Sequence, residues 1–179
     1  MRLLSIVLLC TAACAFAQSK LATVITKAEL DAAVARTPKP VVIDQQLKMV
    51  NIEGEYNLAI ASVARTKGTG SQISGSLTHS DVAEIYHIIS GSGTLVSGGA
   101  MENSKAAAAD SSVVKLAGPS NSGGDIKSGT SRKVGPGDVL IVPPKIPHWF
   151  SEITSDLVYL VVRIDPHKLL PPEVAGSAT

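Results

Sequence analysis

From Leu77 to Gly93 the chain reads LTHSDVAEIYHIISGSG. A histidine, an aspartate and a glutamate are set into an alternating apolar run that ends in glycines. Successive side chains of a strand point to opposite faces. Glu84, Tyr86 and Ile88 therefore share one face, and Ile85, His87 and Ile89 share the other. A second segment, Gly135 to Phe150, reads GPGDVLIVPPKIPHWF and adds a proline-bracketed turn and another histidine. Short runs of this kind, separated by close turn signals, constrain the chain to an all-β barrel or sandwich.

The rest of the chain agrees with that period. Val41 to Ile43, Leu47 to Ile52 and Tyr56 to Ala64 are β-type runs, and Gly68 to Gly75 is a glycine-rich loop. Gly91-Ser92-Gly93 reads as a turn, with Thr94 to Val96 as the return strand. Ser131 to Val134, Val139 to Val142 and Leu157 to Ile164 are further strands. The one helix expected lies near the N-terminus. Thr26-Lys27-Ala28-Glu29 has the form of a capping box, Leu30, Ala33 and Val34 make an apolar stripe, and Pro38 and Pro40 end the helix. Gly98 to Thr130 is rich in small and polar residues and reads as a long, mobile excursion, with one brief strand candidate at Val113 to Leu116. A lid over the barrel mouth is the role expected of it. The tail from Asp165 is expected to fray.

Arg2, the apolar run Leu3 to Ala13 and the small-residue pattern Ala15-Phe16-Ala17 form a secretory leader with cleavage near Ala17. The domain plan is a leader over residues 1–17 and an N-terminal helix and linker over 18–40. A barrel over 41–165 follows, carrying the excursion at 98–130, and then a tail over 166–179. The location implied is secreted or periplasmic. Both cysteines, Cys10 and Cys14, fall in the leader, so thiol catalysis and disulfides are excluded from the processed chain. Removing Arg2 leaves 15 basic residues (16 minus 1) against 15 acidic ones, and no basic stripe marks a nucleic-acid surface. No later apolar run is long enough for a membrane helix. The serines form no nucleophile elbow.

Four histidines are available: His79, His87, His148 and His167. A metal site of nitrogen and oxygen ligands needs convergent imidazoles and a carboxylate. If Glu84 faces inward, His87 does not, and His167 lies in a proline-flanked tail. His79, Glu84 and His148 remain, with Asp81 as an alternative carboxylate whose simpler role is capping its turn. Tyr86 shares the face of Glu84. Phe150 shares the face of His148, which turns Trp149 outward to a position suited to a dimer interface. The facing of Arg163 is undetermined, and a solvated arginine is the plainer reading.

The two segments together resemble the two motifs of the cupin superfamily. The first motif runs His-x-His, three or four residues, Glu, six residues, Gly; His79, Glu84 and Gly91 fit it, with Leu77 at the position of the first histidine. The second runs Gly, five residues, Pro-x-Gly, two residues, His; Gly137, Pro143 and His148 fit it, with Lys145 where glycine is expected. The resemblance implies a single cupin barrel, a double-stranded β-helix or jelly-roll, that pairs into a homodimer. It also implies a metal site of His79, Glu84 and His148 for one divalent transition ion, Fe, Mn, Zn, Ni or Cu. A substrate pocket would include Leu77, Tyr86 and Phe150, with Tyr86 as a catalytic candidate. Two functions follow as expectations. One is a metal-dependent enzyme on a small organic substrate, of oxygenase, lyase, decarboxylase or isomerase type. The other is a non-enzymatic barrel that binds a small ligand and keeps its histidines for structure.

Overall fold

The computed structural model describes residues 21–35, 41–69 and 75–171. The leader, Pro38, Pro40, most of the first glycine-rich loop and the chain beyond Pro171 lie outside the described residues.

Helix α1 spans Lys27–Val34 and carries the expected capping box. The Glu29 amide donates to Thr26 Oγ1 at 3.2 Å, and the Thr26 amide donates to Glu29 Oε2 at 2.8 Å. Two amides left over at the helix start are thereby satisfied. Buried Ala33 sits on the side that meets β1 (Val42–Ile52) and β2 (Tyr56–Arg65), an antiparallel hairpin. Glu53 and Gly54 turn that hairpin with φ of 49° and 78°, the pair of positive angles that suits the twist of the flanking strands. The sequence suggested two runs where β1 is one. A register shift between Gln46 and Lys48 absorbs the odd residue as a bulge.

The remaining strands are β3 (Gly68–Thr69), β4 (Ser76–His79), β5 (Ala83–Ser97), β6 (Ala100–Met101) and β7 (Lys105–Ala106). After helix α2 (Ser112–Ala117) come β8 (Ser120–Gly123), β9 (Ile126–Lys127), β10 (Thr130–Val134), β11 (Val139–Val142) and β12 (His148–Asp165). Every pairing is antiparallel. β12 is the spine: β5 runs along one edge, while β2, β3 and β4 share the other. The far edge of β5 takes β11 and then β10. One core fills the space between the strands, built around Val63, Tyr86, Ile88, Leu95, Phe150, Leu157, Tyr159 and Val161. The all-β expectation, with a short N-terminal helix, holds. No helix among the described residues is long and apolar enough to cross a membrane.

Five expectations are corrected. Gly91 to Gly93 is not a turn, because β5 passes through it unbroken and changes partner from β11 to β10 across it. Val113 to Leu116 is helical: Ser111 accepts from the Val114 amide at the helix start, and Gly118 at φ 71° ends it, so the caps override the β preference of two valines. The excursion from Gly98 to Thr130 is tied down rather than loose, since β8 pairs with both β4 and β7, and β6 pairs with β9. The tail is docked through Leu170. Buried Asp165 accepts from the amides of Leu169 and Leu170 at 2.9 Å each, and Leu170 packs with Ala59 and Val82. The last strand also begins earlier than expected, at His148.

Gly91 is the residue that lets β5 bend. Its φ is 80°, and a Cβ there would lie 2.1 Å from the Asp156 carbonyl oxygen. Gly91→Ala must therefore strain the backbone and push β5 from β12. The variant should lose at least about 2 kcal/mol of unfolding free energy, read from denaturant midpoints. A midpoint equal to wild type would show that the bend tolerates a side chain.

Candidate metal centre

Strand pairing brings the two motif segments together. His79 ends β4 and His148 begins β12, and the backbone sets His148 opposite Leu77. The Lys145 amide donates to the His79 carbonyl at 2.7 Å, which ties the turn before His148 to the first motif. Lys145 holds φ of 67°. A glycine would take that left-handed conformation without strain, which explains why the second motif has glycine there.

His79, Glu84 and His148 are all buried, and one ligand atom from each lies within 4.8 Å of the others. His79 Nε2 is 3.4 Å from Glu84 Oε2, and His148 Nε2 is 3.5 Å from the same oxygen. The other ring nitrogens are already engaged. His79 Nδ1 lies 2.8 Å from Ser120 Oγ, whose hydroxyl donates to the Gly118 carbonyl at 2.7 Å. With its one proton spent, Ser120 accepts from His79 Nδ1–H. His148 Nδ1 lies 3.1 Å from the Ile146 carbonyl, which only accepts. Both rings thus carry a proton on Nδ1 and turn Nε2 to one carboxylate oxygen.

These donors fit a divalent transition ion. Two ligand atoms each about 2.1 Å from a shared ion lie about 3.4 Å apart at a tetrahedral angle. Ring nitrogens fixed from behind by an acceptor are the usual support of such a ligand. Leu77 gives no donor, so one side of the cluster is left open for a ligand.

Glu84 is held from every side. Arg163 Nε donates to Oε1 at 2.9 Å, and the Tyr86 hydroxyl donates to Oε2 at 2.5 Å. Burial pushes this carboxyl up, but hydrogen bonds from both histidines and the Arg163 charge outweigh it, and its pKa lies well below the ordinary carboxylate range. Burial first, and the Glu84 charge second, hold the Tyr86 phenol well above its usual value. Tyr86 therefore serves as a neutral donor. Arg163 reaches on to Asp44 with both terminal nitrogens, at 3.3 and 2.6 Å. Burial opposes the charge of Arg163, and the two carboxylates more than restore it.

Arg163 is the clearest correction to the sequence reading: it is buried, not solvated. Its strand is apolar on both faces, so alternation carried no signal. The parity of Leu157, Tyr159 and Val161 would have placed it inward. Asp44, Arg65, Ser120 and Tyr159 were not foreseen. Asp44 faces inward because β1 sets it beside Val63, and Ser120 meets His79 because β8 sets it opposite. Both follow from long-range register, which leaves no trace in local sequence. Leu77, Tyr86 and Phe150 line one cleft with the His–Glu–His cluster, and so do Arg65, Tyr159 and α2 through Val113, Leu116 and Ala117. Trp149 is half-buried and lines this cleft as well, rather than standing on an outward dimer face. His87 points outward and is exposed. Asp81 lies outside the cluster, 4.0 Å from His167 Nε2.

Several solved structures are similar to this chain at low sequence identity. An uncharacterized protein with a double-stranded β-helix domain from Klebsiella pneumoniae is 13% identical, with 83% of this chain and 91% of that one covered at a TM-score of 0.46. A putative mannose-6-phosphate isomerase from Ralstonia eutropha is 20% identical over 76% of this chain and 94% of that one, at 0.45. KdgF from Halomonas sp. is 13% identical over 74% and 87%, at 0.43. No curated protein matches. The family description that matches the sequence is Cupin, over residues 45–175, and it spans both histidine segments and the glutamate between them. With most of its length matched, this chain belongs to the cupin family.

Proposed function

We propose that this chain is a metal-dependent cupin enzyme acting on a small oxygenated organic molecule, exported to the periplasm or the cell exterior. The observation that supports it best is the pair of imidazoles, each with Nδ1 spent on an acceptor and Nε2 turned to one oxygen of Glu84. Two lone pairs facing a carboxylate oxygen repel unless a cation or proton lies between them. Through His79, His148 and Glu84 the site would hold one divalent ion, Fe, Mn, Zn, Ni or Cu. When bound, that ion supplies Lewis-acid or oxygen-activating chemistry.

The chain's own residues do the rest. Arg163 fixes the angle of Glu84 through Oε1 and so leaves Oε2 for the centre. Tyr86 keeps its proton and holds Oε2 from the cleft side, where it also meets an entering substrate. Leu77 keeps one wall apolar. Val113 and Leu116 of α2 cover the cleft from outside and limit water there. The cleft is partly open to solvent, and its interior cavity measures about 50 Å³.

The first experiment is metal analysis of the chain expressed with its leader. The exported species should begin at Gln18 by intact mass and carry about one transition ion per chain, and His148→Ala should carry almost none. A chain that stays empty after refilling with Fe(II), Mn(II) and Zn(II) would reject the enzyme reading and leave a ligand-binding barrel with structural histidines.

Ser120 should matter although it touches no metal, because it sets the tautomer of His79. Ser120→Ala is expected to weaken metal binding about 10- to 100-fold in competition with a chromophoric chelator, and Ser120→Thr should keep it. Equal affinity in Ser120→Ala would show that the ring needs no partner.

We also propose a homodimer through the outer sheet face. Val139 and Ile141 of β11 are 61% and 69% exposed, and Ile89 beside them on β5 is exposed too. Among the described residues β11 pairs only with β5, so its other edge is open. Light scattering should give a dimer mass, and Ile141→Lys should shift it to monomer. A wild-type monomer at micromolar concentration would rule this out.

A further inference from the structure

Three charged side chains run in a hydrogen-bonded row along the cleft to the His–Glu–His cluster. Asp44 stands on β1, Arg163 on β12 and Glu84 on β5. Register sets them in line. Arg163 lies opposite Glu84 across the β5–β12 pair, and Asp44 lies opposite Val63 of β2, the strand between β1 and β12. Arg163 and Glu84 are buried, whereas the Asp44 side chain keeps 24% of its surface exposed, so a substitution at Asp44 changes charge with the least loss of packing.

A guanidinium and a carboxylate commonly pair through two parallel N–H···O bonds. Arg163 does not treat its two partners alike. Both terminal nitrogens go to Asp44, Nη1 to Oδ1 at 3.3 Å and Nη2 to Oδ2 at 2.6 Å. Glu84 receives one bond from it, Nε to Oε1 at 2.9 Å. The other oxygen of Glu84, Oε2, is the one that His79 and His148 face. Charge divides in the same way. Burial works against the Arg163 cation, and of the two carboxylates that restore it Asp44 does more than Glu84. Two carboxylates and one guanidinium leave the row one negative charge, which serves the cluster end. Without Asp44 the row would be neutral. Its guanidinium, then held at Nε alone, would be free to turn a terminal nitrogen to Oε2 as well. An uncompensated cation beside a ligand opposes a second cation a few ångströms away, and burial leaves little screening between them.

We propose that Asp44 is a positioning residue of the metal centre. It is not part of the His–Glu–His cluster and acts through Arg163. By taking both terminal nitrogens of Arg163 and offsetting its charge, Asp44 keeps Glu84 anionic toward the centre and keeps Oε2 clear of the guanidinium. The inference rests on the metal reading of the cluster, while the unequal bonding of Arg163 stands without it.

The test titrates Zn(II) into the metal-stripped full chain by calorimetry, with the denaturant midpoint of every variant measured beside it. Asp44→Asn keeps the shape of the side chain and removes its charge. It should bind Zn(II) about 10- to 100-fold more weakly than wild type, and Asp44→Glu should keep part of the affinity. Arg163→Met in the Asp44→Asn background gives the readout that a merely structural role would not move. Removing the cation removes the need for its counter-charge, so the double variant should bind more tightly than Asp44→Asn and within about tenfold of wild type. It also leaves no unpaired guanidinium buried, and so it carries the test if Asp44→Asn fails to fold. A folded Asp44→Asn chain that binds Zn(II) as wild type does overturns the proposal and spares the metal reading. So does a double variant that binds no better than Asp44→Asn. Where the single variant does not fold, a double variant more than about tenfold weaker than wild type overturns it as well. A wild-type chain that takes no Zn(II) defeats the metal reading for that ion and, if Mn(II) and Fe(II) fail too, both that reading and this inference.

Discussion

The structure depends on one buried carboxylate. Glu84 is 2% exposed, and an ionised group at that depth carries a desolvation cost of several kcal/mol. Its two oxygens meet Arg163, Tyr86, His79 and His148, so three strands must deliver their side chains to one point. β5 brings Glu84 and Tyr86, β12 brings Arg163 and His148, and β4 brings His79. A slip of one residue between β5 and β12 would turn Arg163 away and leave two opposite charges buried apart, a loss of about 3–5 kcal/mol. The network thus fixes the register of the longest strand pair. Asp44 extends the same constraint to β1 through Arg163. These contacts do not oppose the surrounding apolar core. They choose which of its alignments is allowed, while Ile88, Leu157 and Val161 supply the burial that holds it.

What was legible in the sequence follows from where alternation carries information. On β5 the order of residues alone put Glu84 and Tyr86 on one face and His87 on the other, and the structure turns the first face inward. On β12 from Leu157 to Val162 both faces are apolar, so alternation by itself left the facing of Arg163 open. Gly91 misled for a related reason. A Gly-Ser-Gly triplet has the composition of a turn, yet here glycine is needed for a close approach to the Asp156 carbonyl within a continuous strand. The change of neighbour from β11 to β10 at that point is a property of the sheet, and no local window contains it.

The segment from Gly98 to Thr130 was the least legible part, because little of its order comes from side-chain burial. Its short strands are held by backbone pairing, Leu77 with Ser122 and Lys105 with the same Ser122 on the other edge. Small and polar residues suit that arrangement and carry no hydrophobic period. Composition therefore suggested mobility where the hydrogen bonds give order.

That segment also joins the cover of the cleft to the cluster beneath it. Val113 and Leu116 of α2 line the cleft, Gly118 ends the helix, and the Gly118 carbonyl takes the proton of Ser120, which thereby accepts from His79. The route from cover to ring nitrogen is a short stretch of chain from Ala117 through Gly118 to Ser120. Any shift of α2 that moves the Gly118 carbonyl frees the Ser120 hydroxyl to donate instead. His79 Nδ1 would then accept, and its proton would pass to Nε2, the atom that faces Glu84. A histidine protonated there cannot ligate. The Gly118 carbonyl and the Ser120 hydroxyl thus link the end of α2 to the tautomer of His79.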